Sequence, residues 1–203
     1  MSTENKKFEF LVDYAIRNKW SKGLPRLSKR TVAHPIRKPV PITEVVVHGT
    51  GGGGTYMFVL GGWRKEQYLK NIALFHYLIQ LNEKIIEILD PDNFVFHSSS
   101  SWHDATTIGI EIENPHKFND APYTEWQYEA LGYLIFDKLL EKYPTINKIV
   151  SHNMNGQIYS RKSKACPGAG FDWTKLEYEM EKRNISYKKL KDEIYIFEKK
   201  RNK

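Results

Sequence analysis

Apolar runs of two different periods alternate along this chain, and that alternation restricts its architecture more than any other feature. Val45-Val46-Val47, Ile108-Gly109-Ile110-Glu111-Ile112-Glu113 and Ile149-Val150 are short and β-branched, as strands are. Between the last two, Tyr128, Leu131, Leu134, Ile135 and Leu139 recur at helical spacing, after the capping-box pattern Thr124-Glu125-Trp126-Gln127 and before Tyr143-Pro144. Phe75 to Leu81 and Lys84 to Leu89 read as two strands of a hairpin around Asn82-Glu83. Strands interleaved with helices predict an α/β fold, a central mixed β-sheet flanked by helices. Trp63 to Ile72 reads as a helix, Asn93 to Phe96 as a short strand and Ser98 to Thr107 as a loop. A short helix over residues 6–20, ended by Gly23-Leu24-Pro25, and a helical or partly disordered segment over 174–203 complete the expected elements. Within Ile108 to Glu113, period two puts the isoleucines on one face, as core, and Glu111 and Glu113 on the other.

Two of these strands end on a histidine. His48 closes Val45-Val46-Val47 and opens a glycine-rich loop, while His152 follows Lys148-Ile149-Val150-Ser151. Fourteen positions after His152 stands the single cysteine, Cys166, within Ser163-Lys164-Ala165-Cys166-Pro167-Gly168. Two imidazoles and a thiolate make three ligands for a tetrahedral zinc ion and leave its fourth position to water, the pattern of a hydrolytic rather than a structural metal. A papain-like pairing of Cys166 with His152 uses the same residues but leaves His48 without a role. The run Gly49-Thr50-Gly51-Gly52-Gly53-Gly54 lacks the Lys-Ser/Thr of a phosphate-binding loop, and Ser98 to Ser101 lack a Gly-x-Ser-x-Gly elbow. Nucleotide binding and serine-hydrolase chemistry are therefore not expected.

Charge is unevenly distributed. Residues 1–43 carry ten Lys/Arg against three Asp/Glu and residues 174–203 ten against six, whereas residues 44–173 carry eleven against fifteen. The basic character belongs to the ends, so the acidic central part argues against a nucleic-acid substrate, while the ends suit anionic envelope polymers or lipids. There is no run of eighteen apolar residues, and the amino-terminal stretch has no apolar signal core, which predicts synthesis in the cytoplasm.

Taken in order, Val47-His48-Gly49-Thr50, His76-Tyr77-Leu78-Ile79, Phe96-His97, Ile108-Gly109-Ile110-Glu111-Ile112-Glu113-Asn114, Tyr123-Thr124 with Gln127, Ala130 and Leu131, Val150-Ser151-His152, Lys164-Ala165-Cys166-Pro167 and Phe171-Asp172-Trp173 resemble the type 2 N-acetylmuramoyl-L-alanine amidases. This zinc family includes phage endolysins, muropeptide-recycling amidases and peptidoglycan recognition proteins. The resemblance spans residues 43–176 and implies a zinc amidase domain there, with a basic amino-terminal extension over 1–42 and a basic carboxy-terminal helix or tail over 177–203. It implies Zn2+ held by His48, His152 and Cys166, with Glu111 as general base and Lys164, or Lys162 if the loop is shifted, as the cation facing the developing oxyanion. It also implies substrate contacts at His97, His76 and Asn114. A tyrosine assists catalysis in the small phage enzymes, but the matching residue is Phe75, which has no hydroxyl and leaves the proton transfer to Glu111. The implied reaction is hydrolysis of the bond between N-acetylmuramic acid and L-alanine in peptidoglycan, by a monomer acting as a bacteriolytic endolysin on the cell wall. A recycling amidase acting on soluble muropeptides and a non-catalytic peptidoglycan binder are the alternatives, and the cysteine ligand favours catalysis over the latter.

Overall fold

The computed structural model describes residues 10–12, 40–52, 75–87, 90–92, 95, 97–98, 100–160 and 165–198. Its strands are β1 (Phe10–Val12), β2 (Glu44–Gly49), β3 (Tyr77–Ile79), β4 (Ile85–Glu87), β5 (Thr107–Ile112), β6 (Lys148–Ser151), β7 (Ser186–Lys191) and β8 (Ile194–Glu198). They form one sheet in the order β1-β4-β3-β5-β2-β6-β8-β7. The centre, β3-β5-β2-β6, is parallel, whereas β4 on one side and the β7-β8 hairpin on the other run antiparallel to their inner neighbours. The sheet is mixed, as its interleaved pattern predicts.

Central parallel strands are covered on both faces, which explains the uninterrupted apolar runs. Val45, Val47, Ile108, Ile110, Ile112 and Ile149 enter one large cluster, and Val46 and Val150 join Met154 and Ile194 in a smaller one. Onto the larger cluster packs the helix α2 (Glu125–Gly132), which continues through the π-helical stretch Tyr133–Leu139 into α3 (Leu140–Lys142). Its start is the expected capping box. Thr124 Oγ1 accepts the Gln127 N–H at 3.2 Å, and Gln127 Oε1 accepts the Thr124 N–H at 3.0 Å. Leu131, Leu134, Ile135 and Leu139 are fully buried, each contributing roughly 1.5–3 kcal/mol of transfer free energy.

Several expectations need correction. Phe10–Val12, inside the expected short helix, is a strand paired in parallel with β4, and the rest of residues 6–20 lies outside the described residues. The helix expected over Trp63 to Ile72 also lies outside them. Ser98 to Thr107 is not all loop, because α1 (Ser101–Asp104) forms within it and β5 begins at Thr107. As far as residue 198, the segment after residue 176 is neither a helix throughout nor a tail. α5 (Trp173–Lys182) crosses that position, and β7-β8 then extends the sheet through β6. Tyr195 and Phe197 bury themselves in the main cluster, and Trp173 stacks on Tyr195 with ring centroids 5.6 Å apart. Lys188, Lys189 and Lys191 line β7, an edge strand, where charge discourages pairing with another chain, and the charged run Lys199-Lys200-Arg201-Asn202-Lys203 expected as a tail lies outside the described residues.

Candidate metal centre

Three neighbouring parallel strands bring the candidate residues into one row. In the β2-β5 register His48 lies opposite Glu111, and in the β2-β6 register Val47 lies opposite Ser151, so His152, which begins α4 (His152–Ser160), falls beside His48. These are carboxyl ends of parallel strands, where open α/β sheets place their ligands. His48 Nδ1 is 2.9 Å from His152 Nδ1 and 3.8 Å from Cys166 Sγ, and the three ligand atoms lie within 4.8 Å of one another.

That spacing can be tested against a metal. Bonds of about 2.05 Å to nitrogen and about 2.3 Å to sulfur at tetrahedral angles put two nitrogens about 3.3 Å apart and nitrogen and sulfur about 3.6 Å apart. The separations of 2.9 and 3.8 Å differ from these by a few tenths of an ångström, so the donor set fits zinc. The Gly49 N–H lies 3.3 Å from Cys166 Sγ, a donor that favours the thiolate.

The loops carrying these ligands are tied together by residues that sequence reasoning did not single out. Asn119 Oδ1 accepts the Gly51 N–H at 2.7 Å, while its Nδ2 donates to the carbonyls of Gly49 and Ala165 at 3.3 and 3.2 Å. The Tyr123 hydroxyl donates to the Pro167 carbonyl at 2.8 Å, and the Asn153 N–H donates to the Cys166 carbonyl at 2.8 Å. Gly168 adopts φ +88°, and a Cβ there would lie 2.5 Å from that of Asn119, so this position requires glycine. On the other side, the Ser151 hydroxyl accepts the Met154 N–H at 2.9 Å and donates to the Glu193 carboxylate, which also accepts from Asn153 Nδ2 at 3.3 Å. The β7-β8 turn thereby braces the start of α4.

Glu111 joins the cluster from β5, with Oε1 4.0 Å from His48 Nδ1. Its side chain is only 12% exposed, and Oε2 is buried without a hydrogen-bond partner. Burial pushes its carboxyl up to about 8. The face carrying Glu111 and Glu113 is therefore not a solvated one. Glu113 is buried as well, with its carboxylate accepting the Leu81 N–H at 2.9 Å.

The three expected substrate contacts are all interior. His76 is 0% exposed, and its Nδ1 accepts the Gly109 N–H at 2.9 Å. Asn114 is 1% exposed; its Nδ2 donates to the Ala121 carbonyl at 2.8 Å and its Oδ1 accepts the His116 N–H at 2.9 Å, which shapes the loop that carries Asn119. Both side chains are thus buried and hydrogen-bonded within the protein. His97 is buried too, with Nδ1 3.2 Å from His48 Nε2. Gly109 in β5 is the sequence signal for this packing. A Cβ there would lie 2.7 Å from His97 Nδ1, and a glycine inside a strand marks such a close approach. Lys164 and Lys162 lie outside the described residues.

With this geometry established, the similarities of the chain fall into one group. The Ph2119 endolysin from the Thermus scotoductus MAT2119 bacteriophage Ph2119 superposes with a TM-score of 0.55 at 19% identity, over 84% of this chain and 98% of that one. The N-acetylmuramoyl-L-alanine amidase LysC from Clostridium intestinale gives 0.53 at 20% identity, over 74% and 93%. The bumblebee peptidoglycan recognition protein PGRP-SA gives 0.53 at 14% identity, over 86% and 94%. At these identities the matches establish the fold. No curated protein matches the chain. Residues 38–169 match the profile of the family described as N-acetylmuramoyl-L-alanine amidase, and that span covers most of the chain and contains His48, Glu111, His152 and Cys166. By that match, the chain belongs to the N-acetylmuramoyl-L-alanine amidase family.

Proposed function

We propose that this chain is a zinc-dependent peptidoglycan amidase that hydrolyses the bond between the lactyl group of N-acetylmuramic acid and L-alanine. The observation that carries the reading is the convergence of His48, His152 and Cys166 beside the Glu111 carboxylate, whose Oε1 is 4.0 Å from His48 Nδ1 and whose Oε2 is buried without a hydrogen-bond partner. Zinc held by those three residues supplies Lewis acidity toward the amide carbonyl and lowers the pKa of its water toward ~7.

The chain's own groups do the rest. Glu111 takes a proton from the attacking water and delivers it to the amide nitrogen as the carbon–nitrogen bond breaks, and the water's second proton then passes from the new lactyl carboxyl to the amine, leaving a lactyl carboxylate and an L-alanine ammonium group. A divalent cation held by His48, whose Nδ1 lies 4.0 Å from Glu111 Oε1, would favour the ionised form of that carboxylate despite burial. Lys164, two residues before Cys166, is the proposed counter-charge for the carbonyl oxygen. Gly49 orients the Cys166 thiolate, and Asn119 holds the Gly49 and Cys166 loops at a constant separation.

A lytic role at the cell wall is favoured by the likeness to the Ph2119 endolysin and to the amidase LysC, of whose chains this one spans 98% and 93%. The basic β7 edge, with Lys188, Lys189 and Lys191, suits an anionic envelope. Metal-loaded protein incubated with purified peptidoglycan is expected to release L-alanine amino groups without new reducing sugar ends, and chelator is expected to abolish the release. New reducing ends, or full activity in chelator, would refute the proposal. Cleavage of soluble muropeptides but not of intact sacculi would assign the same chemistry to recycling.

A further inference from the structure

We propose that His97 is a positioning residue of the metal centre rather than a substrate contact, holding His48 in the one tautomer that bares Nδ1 toward Cys166 and His152, with Thr107 holding His97 in turn. This inference rests on the zinc reading of the site.

Each hydrogen-bond direction follows from the far end of the relay. The main-chain oxygen of His103 can only accept, and the Thr107 hydroxyl, 3.0 Å away, gives its hydrogen there alongside the Thr106 N–H and hydroxyl at 3.0 and 3.1 Å, while the Asp104 carboxylate 4.0 Å from His97 Nε2 favours a hydrogen on that nitrogen. Thr107 Oγ1 is then left to accept from His97 Nε2–H, also at 3.0 Å. A neutral imidazole with its hydrogen on Nε2 has a bare Nδ1, and His97 Nδ1 accepts from His48 Nε2–H at 3.2 Å. His48, with its hydrogen on Nε2, therefore presents a lone pair on Nδ1, the atom 2.9 Å from His152 Nδ1 and 3.8 Å from Cys166 Sγ. The opposite tautomer of His48 would set two lone pairs against each other at His97 and turn an N–H toward the cation.

The surroundings of His97 suit a fixed support. Its ring lies against Gly109, where no side chain fits beneath it, and meets the His76 ring edge-to-face with centroids 5.7 Å apart. Asp104 Oδ1 accepts the N–H groups of His97 and Ser98 at 3.0 and 2.6 Å, which pins the backbone that carries the ring. His97 and Thr107 are both buried, so neither presents a surface to a polymeric substrate. Outer partners of this kind set the ring orientation and basicity of a ligating histidine, and losing one weakens metal binding by about 10–100-fold.

The test measures zinc affinity by competition with a chromogenic chelator, alongside kcat and KM on peptidoglycan. His97→Ala is expected to weaken zinc about 10–100-fold with KM unchanged. His97→Asn, whose side-chain oxygen can accept from His48 Nε2–H, is expected to recover most of that loss. Thr107→Val, close in shape, is expected to weaken zinc by a smaller factor that Thr107→Ser restores. This pair carries the test if His97→Ala does not fold. Wild-type zinc affinity in both His97→Ala and Thr107→Val, or a raised KM with unchanged zinc affinity, overturns the positioning role and leaves the zinc reading standing. A wild-type protein that binds no zinc overturns both.

Discussion

Replacing Glu111 with glutamine in the chelator-treated protein should make it more stable, and the gain should grow with pH. An unfolded glutamate ionises near its usual 4.5, whereas the buried Glu111 carboxyl is pushed up to about 8. Below pH 4.5 both states carry the proton and Glu111 contributes no pH dependence. Between 4.5 and 8 the unfolded chain has released a proton that the folded chain retains, so wild-type stability falls as pH rises, at up to about 1.4 kcal/mol per pH unit. Above 8 the loss is complete. A shift of about 3.5 units sets a ceiling of about 5 kcal/mol, and water penetration and relaxation around a group still 12% exposed bring the expected gain to about 2–3 kcal/mol. Glutamine keeps the shape and never ionises. Urea unfolding in chelator at pH 5 and pH 8.5 should show midpoints that are close at the lower pH and separated by about 1 M at the higher. A difference that is the same at both values, or a wild type that is the more stable at pH 8.5, would refute the desolvation argument. The same substitution removes the proposed base and should cost about 10²–10⁴-fold in kcat, so stability and activity move in opposite directions.

Three further outcomes are expected. Cys166→Ser should weaken zinc by more than tenfold while leaving the far-ultraviolet spectrum unchanged, because the thiol lies on a loop rather than in the core; zinc binding equal to wild type would remove Cys166 from the ligand set. Thr124→Ala should cost about 1 kcal/mol in urea unfolding through loss of the cap on α2, and no change would mean that the reciprocal bonds with Gln127 contribute nothing net. Phe197→Ala should destabilise the protein by about 3–5 kcal/mol, since this ring is buried in the main cluster and meets Phe136 with centroids 5.6 Å apart; an effect within about 0.5 kcal/mol would mean that the β7-β8 hairpin does not belong to the cooperative unit.

What the sequence made legible was local. Thr124 with Gln127, the spacing of Leu131, Leu134, Ile135 and Leu139, and the β-branched strands each carry their signal within a few residues, and each is an element of the structure. Histidines at strand exits and a lone cysteine were enough to suggest the ligand set because adjacent parallel strands deliver equivalent ends to one place. Other features depend on partners far along the chain. Asn119 has no local signature, since its partners are 46 to 70 residues away. The burial of Glu111 and Glu113 depends on what covers the second face of the sheet, and period-two alternation is silent about that. The lysines of β7 hid the hairpin, because an edge strand and a disordered tail share that composition, and the apolar run of β8 that carries Tyr195 and Phe197 is only five residues long. Phe10–Val12 has too few residues to distinguish the two periods, and its parallel partner lies more than seventy residues downstream.

The placement of His48 in β2 limits how such a centre can change through descent. Val47 and His48 point to opposite sides of the sheet, the valine into the cluster with Ile110 and the imidazole toward Cys166. Gaining or losing one residue between Glu44 and Val47 would exchange them, burying a polar ring among isoleucines and offering a valine to the cation. No graded loss of function lies along that route. Changes in length are therefore confined to the connections between strands, while the strand itself admits only substitutions that keep its alternation in phase.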